Sequence, residues 1–171
     1  VLDGKIVGQI SSFLIEAQAD DTPCPLAENN DRSFNGFIVL GMGFTFDDTN
    51  QSATPISRMD EIIQKSPQSA EFIKIYVGGE QVNGQPVFVP ERYVIDFGEM
   101  TAEEASKLTE LWQIVESKVK PERALVKREK NRDIWWQFEK TRPALRQAIA
   151  GNERVLVANC AAAKYVTFSF L

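Results

Sequence analysis

The spacing of apolar positions places strands toward both ends of the chain and helices in its middle. Residues 4–15 read as strand material, with Ile6, Val7, Ile10, Phe13, Leu14 and Ile15 interrupted by Gly8 and Ser11-Ser12. Residues 17–32 are polar and proline-rich, which predicts a loop. The run from Ser33 to Phe46, SFNGFIVLGMGFTF, is apolar and studded with glycine, the mark of a strand with a bulge or a close backbone approach. Ser57 is placed to cap a helix reaching about Lys65, with Met59, Ile62 and Ile63 inward.

Phe72 to Val77 alternates weakly, and Gly78-Gly79 and Asn83-Gly84 predict turns. Arg92 to Phe97 predicts a strand. Thr101-x-x-Glu104 has the form of a capping box, in which each residue satisfies a backbone N–H near the other. It opens a helix that carries Ala105, Leu108, Leu111, Trp112 and Val115 on one face. Pro121 ends that helix or starts the next. Thr141 and Pro143 open a third, with Leu145, Ala148 and Ile149 inward and Gly151 as its stop. Arg154 to Val157 and Tyr165 to Leu171 return to strand alternation. The pattern predicts an α+β fold, with a mixed or antiparallel sheet and a cluster of helices in the middle of the chain. There is no internal repeat.

Composition narrows the chemistry. A chain of 171 residues, 43% apolar and 25% charged, suits one well-buried core. No run is long enough for a membrane span, and no signal-peptide core is present. Cys24 and Cys160 are the only cysteines, far apart, which gives neither a disulfide framework nor a metal-ligand spacing and fits a reducing cytoplasm. Histidine is absent, so Ser-His-Asp and Cys-His catalysis are excluded within the chain. The chain starts at Val1 and stops at Leu171 inside an alternating run. The expectation is one module, residues 1–171, continuing beyond both ends in a longer protein.

Charge is distributed unevenly. Lys118 to Arg154 holds 11 Lys and Arg against 5 Asp and Glu, a net of +6, whereas residues 1–117 hold 7 against 19, a net of −12. A basic segment around a Trp-Trp pair in an acidic chain points to a polyanion, nucleic acid first. Lys120, Arg123, Lys127 and Lys130 are spaced to share one face of a helix, with Arg128 and Arg132 on a neighbouring rung. Such a stripe suits phosphate contacts, and the alternative is a plain solvated face. Arg142 and Arg146, one turn apart, extend the patch, and Lys164 adds to it. Asn83 and Arg92 sit at turn and strand ends where a loop can enter a groove. Adjacent tryptophans on a helix face different ways, so one of Trp135 and Trp136 belongs in the core. The other, taken as Trp136, is a candidate to stack on a base or an arginine.

Three weaker signals point elsewhere. Gly41-Met42-Gly43 lacks the third glycine and the distal acid of a dinucleotide fingerprint, and reads as close packing. Asp96 with Glu116-Ser117-Lys118 mimics a metal-nuclease pattern, but Glu116 and Lys118 point apart on a helix. Cys24 has no base beside it.

An ordered set of stretches carries a family likeness. They are Ser33-Phe34-Asn35-Gly36 with Gly41-Met42-Gly43-Phe44, Tyr76 to Asn83 (YVGGEQVN), and Arg92 to Gly98 (RYVIDFG). Val119 to Arg123 (VKPER), Trp135 to Phe138 (WWQF), Arg142-Pro143-x-Leu145 and Glu153 to Val157 (ERVLV) follow in order. From about residue 25 onward the chain resembles the target recognition domain of MmeI-like enzymes. These are bacterial type II restriction–modification proteins that join a DNA adenine methyltransferase to an endonuclease. The resemblance implies a module following the methyltransferase domain, which holds duplex DNA while the target adenine is flipped. It implies no catalysis and no cofactor in this chain. For the parent it implies S-adenosylmethionine, with Mg²⁺ if it cleaves. Partners are double-stranded DNA and the parent's methyltransferase domain, in the cytoplasm and without a membrane. The chain departs from the family where Asn159-Cys160-Ala161-Ala162-Ala163 replaces a polar stretch containing Arg and Ser. The competing expectation is a structural or protein-interaction domain whose basic helix packs on an acidic neighbouring domain.

Overall fold

A computed structural model of the chain describes residues 1–8, 10, 16, 32–84, 89–159 and 168–171. Cys24, Cys160, Lys164 and most of the 4–15 strand and 17–32 loop lie outside the described residues. The chain divides into two units, Val1–Phe34 and Asn35–Leu171. In the first, Leu2 and Lys5 exchange backbone hydrogen bonds across Asp3-Gly4, and Ile10 bridges Glu16.

The second unit contains β1 (Thr45–Phe46), α1 (Ile56–Lys65), β2 (Ile73–Ile75), α2 (Gly79–Gly84) and β3 (Tyr93–Ile95). It continues with α3 (Ala102–Ser106), α4 (Thr109–Ala124), α5 (Glu129–Asp133), α6 (Pro143–Ile149), β4 (Leu156–Ala158) and β5 (Phe168–Phe170). The fold is α+β. One antiparallel sheet runs β1-β3-β2, with Thr45 opposite Val94 and Lys74 opposite the same residue on the other side. β4 and β5 form a separate antiparallel ribbon, in which Leu156 faces Phe170 and Ala158 faces Phe168. Among the described residues no helix is long and apolar enough to cross a membrane.

The core follows from helical spacing. Leu111, Val115 and Val119 recur every fourth residue along α4 and are fully buried. They join Phe44, Phe46, Met59, Ile62, Val94, Ile95, Phe97, Ala105, Trp135 and Phe138 in one cluster. The Ser33–Phe46 strand is cut down to its last two residues. Leu40 (φ +53°) and Gly41 (φ +125°) turn the chain, and Met42–Phe44 forms a 3₁₀ turn pressed against α4. A Cβ at Gly43 would stand 2.6 Å from Lys118 Cβ and 2.8 Å from Val119 Cγ2. Helix backbone and buried side chain leave no room to yield. Gly43→Ala is therefore expected to destabilise the fold by about 1–3 kcal/mol, measured by chemical denaturation. Unchanged stability would mean that α4 can move away.

Other departures have local causes. Gly79–Gly84 is helical rather than a pair of turns: the Val82 N–H reaches the Gly78 carbonyl at 3.2 Å, and Gln81 Oε1 accepts the Gly78 N–H at 2.8 Å. Pro55, not Ser57, precedes α1, and Asp48 from the preceding loop accepts the Ile56 N–H at 2.9 Å. The helix expected from Thr101 is two helices, broken at Lys107-Leu108. Pro121 lies inside α4, on an exposed side that also carries Ser117, where solvent can replace the missing helical bond. In α6, Leu145 and Ile149 are half-buried, Ala148 is exposed, and Gly151 stops the chain at φ +81°.

The capping box forms as expected. Thr101 N–H donates to Glu104 Oε2 at 2.8 Å, and Glu104 N–H donates to Thr101 Oγ1 at 3.3 Å. The Thr101 backbone N–H, then its hydroxyl, hold the Glu104 carboxyl below the ordinary glutamate range. A carboxyl with a depressed folded pKa contributes stability above its unfolded pKa and loses it as pH falls through the folded value. Glu104→Gln should therefore make the loss of thermal stability between about pH 7 and about pH 3 slightly shallower. An unchanged acid dependence would show that the box does not couple to folding.

Candidate nucleic-acid interface

The basic segment is built around an aromatic cluster. Trp112 on α4 lies 4.7 Å from Trp135 and 6.0 Å from Trp136 between ring centroids, and Trp135 meets Trp136 edge-on at 5.8 Å. Trp136 Nε1 donates to the Met100 carbonyl at 2.9 Å. Both tryptophans thus belong to the packing, and the structure does not place Trp136 as a free stacking platform. Lys120 lies over the Trp135 ring at 5.0 Å and pairs with Glu116 at 2.8 Å.

The expected four-residue stripe is not a helical face. α4 ends at Ala124 and α5 begins at Glu129, so Lys127 and Lys130 leave the axis that carries Lys120. Arg123 is not a surface contact: it is 1% exposed. Its Nη2 donates to the Val39 carbonyl at 2.7 Å and the Leu40 carbonyl at 2.9 Å, and Nη1 to the Gln137 carbonyl at 2.7 Å. Burial lowers its pKa, yet a guanidinium stays charged, and here carbonyl dipoles solvate it. Arg123 continues the Leu111, Val115, Val119 series, which puts it on the buried face.

Three more candidates are held by partners within the protein, and a fourth, Asn83, is placed differently from the expectation. Arg146 pairs with Asp96 at 2.7 Å and lies over Phe37 at 4.6 Å. Arg128 pairs with Glu139. Arg92 donates to Gln81 and covers the Tyr76 ring at 5.0 Å. Asn83 lies within α2 and is not at a loop tip. Arg132 is exposed and closes the turn before α5, donating to the Val126 carbonyl at 2.8 Å and the Lys127 carbonyl at 3.0 Å, and it makes no ion pair among the described residues.

A cleft of about 260 Å³ opens between α5 and the start of α6, lined by Arg128, Lys130, Asn131, Glu139, Lys140 and Arg142 among others. Four of these are cationic and one is a carboxylate. Lys127, Lys130 and Lys140 are exposed and have no hydrogen-bonded or ion-paired side-chain partner among the described residues. Arg142 sits in the left-handed region (φ +48°, ψ +61°), with Nε donating to the Gly36 carbonyl at 3.1 Å. Sequence reasoning missed Lys140 and Asn131. The signal for Lys140 was its place two residues before Arg142.

Asp96, Glu116 and Lys118 do not converge: Asp96 binds Arg146, Glu116 binds Lys120, and Lys118 Nζ donates to the Ala53 carbonyl at 2.6 Å. Among the described residues no group of three His, Cys, Asp or Glu side chains could hold a metal ion. What the cleft offers is ammonium and guanidinium donors to an oxyanion. No family model, no curated protein and no solved structure matches the chain.

Proposed function

We propose that the chain is a double-stranded DNA recognition module, without chemistry of its own, from a bacterial MmeI-like adenine methyltransferase or methyltransferase–endonuclease. The carrying observation is the cationic cleft around Lys130, Lys140 and Arg142 in a chain of net charge −5. An acidic protein repels DNA at a distance, so a concave cationic surface fixes where a duplex lies. The stretches behind the family likeness support that cleft. Arg123 of VKPER donates to the Gln137 carbonyl of WWQF, two residues before the cleft residue Glu139, and Arg142-Pro143 forms one wall of the cleft. In this reading the phosphate contacts are Lys127, Lys130, Arg132, Lys140 and Arg142. They position the module without reading sequence. S-adenosylmethionine, and Mg²⁺ for cleavage, belong to the rest of the parent, and the cytoplasm is where it acts.

Anisotropy titrations of a labelled duplex at several salt concentrations test this. With five neutralised phosphates, log K should fall against log[salt] with a slope of roughly −4 to −5. Absence of binding at low salt contradicts the reading.

A second reading, a module that only packs against a neighbouring domain, is favoured by the β4–β5 ribbon. Leu156, Phe168 and Phe170 are 58%, 65% and 57% exposed on its outward face. In the DNA reading that face receives the parent's methyltransferase domain.

A further inference from the structure

We propose that the outer edge of β2 is a pairing surface for a second copy of this chain. Two copies join their β1-β3-β2 sheets into one, antiparallel about a two-fold axis at Ile75.

β2 is the last strand of its sheet, and among the described residues nothing pairs with its outer side. The register decides which groups face outward. Tyr76 N–H donates to the Arg92 carbonyl at 2.9 Å and Asp96 N–H to the Phe72 carbonyl at 2.8 Å, so Phe72, Lys74 and Tyr76 turn their backbone groups to β3. Ile73, Ile75 and Val77 turn theirs away. The Ile73 N–H is used on the Ala70 carbonyl. Among the described residues this leaves the Ile73 carbonyl, both groups of Ile75 and the Val77 N–H to the open edge. Ile75 is also 51% exposed, and an uncovered edge with apolar side chains is a template for another strand.

The sequence of that edge selects its own copy. A two-fold axis perpendicular to the sheet sets one residue opposite itself. An axis at Lys74 sets two ammonium groups opposite each other, which destabilises a strand pair. An axis at Ile73 needs an N–H that is already engaged. An axis at Ile75 meets neither obstacle. Each Ile75 then exchanges N–H and carbonyl with its mate, and each Val77 N–H reaches the second copy's Ile73 carbonyl. The isoleucines pack against each other across the axis. Lys74 falls opposite the second copy's Tyr76, a ring that Arg92 covers from the β3 side at 5.0 Å, and no like charges are directly opposed. Residues 73–77 of two copies make a small contact, so the dimer is weak, forming at high micromolar concentration.

Sedimentation of the full chain from micromolar to near-millimolar concentration tests the pairing. The parent chain should pass from monomer to dimer without larger species, because an edge used about a two-fold axis is closed. Ile75→Lys should weaken association about tenfold, through lost apolar contact and two ammonium groups placed opposite each other. Ile75→Glu should do the same. An equimolar mixture of the Ile75→Lys and Ile75→Glu variants should recover association, since the axis then sets unlike charges opposite. Ile75→Pro deletes an outward N–H and no internal sheet bond, and should leave a folded monomer. If it fails to fold, the two charged variants decide alone. A parent chain that stays monomeric throughout overturns the pairing. So does a dimer that is indifferent to Ile75→Lys, which places the contact elsewhere, and so does a mixture that fails to recover. Duplex binding enters none of these readouts, so the DNA reading stands or falls separately.

Discussion

Arg123→Met should destabilise the protein by about 3–5 kcal/mol, the range for disrupting a buried, fully hydrogen-bonded charged group. Methionine fills a similar length but leaves the Val39, Leu40 and Gln137 carbonyls without the donor they share. Those carbonyls come from two segments far apart in sequence, one before β1 and one before α6. Losing the guanidinium therefore unties the segment leading to the cleft as well as weakening the core. Arg123→Lys should be intermediate, because one ammonium cannot span carbonyls that a planar fork reaches from two sides. Urea denaturation should show the midpoint falling with an unchanged m-value. A variant as stable as the parent would return Arg123 to the surface and undo the packing described for α4.

The contrast between the two stripes on α4 explains how much the sequence revealed. The apolar spacing of Leu111, Val115 and Val119 and the capping box at Thr101 predict the helix and its buried face from local rules alone. β3 and the β4–β5 ribbon were legible for the same reason, since alternation is a property of neighbours. The charge stripe of Lys120, Arg123, Lys127 and Lys130 follows helical spacing, but the apolar face of α4 continues into it. Arg123 is four residues after Val119, and that register places it inside. Pairing was hidden in another way. Arg146 finds Asp96 50 residues away, and Arg123 finds Val39 84 residues away. Which cations remain unpaired is thus decided by tertiary contacts. Asn131, between two basic residues, has no local mark that its amide would be buried without a partner. The short α2 depends on Gln81 folding back on Gly78, against the turn preference of its glycines.

In the DNA reading, Lys130, Lys140 and Arg142 of the α5–α6 cleft meet the phosphates of the duplex. Replacing Lys130, Lys140 and Arg142 together with glutamine tests it most directly. At a slope of about 0.9 decades per phosphate contact, removing three contacts at about 0.1 M salt should weaken binding roughly 500-fold. The salt slope should flatten from roughly −4.5 to roughly −2. Both losses should be equal for unrelated duplex sequences, because phosphate contacts carry no base information. Melting should change little for the two lysines, which are exposed and make no ion pair among the described residues. The decisive measurement is anisotropy of a labelled duplex against salt for the parent chain and this triple variant. The slope should be steep for the parent chain and flatten in the variant. An identical slope in both proteins would contradict it.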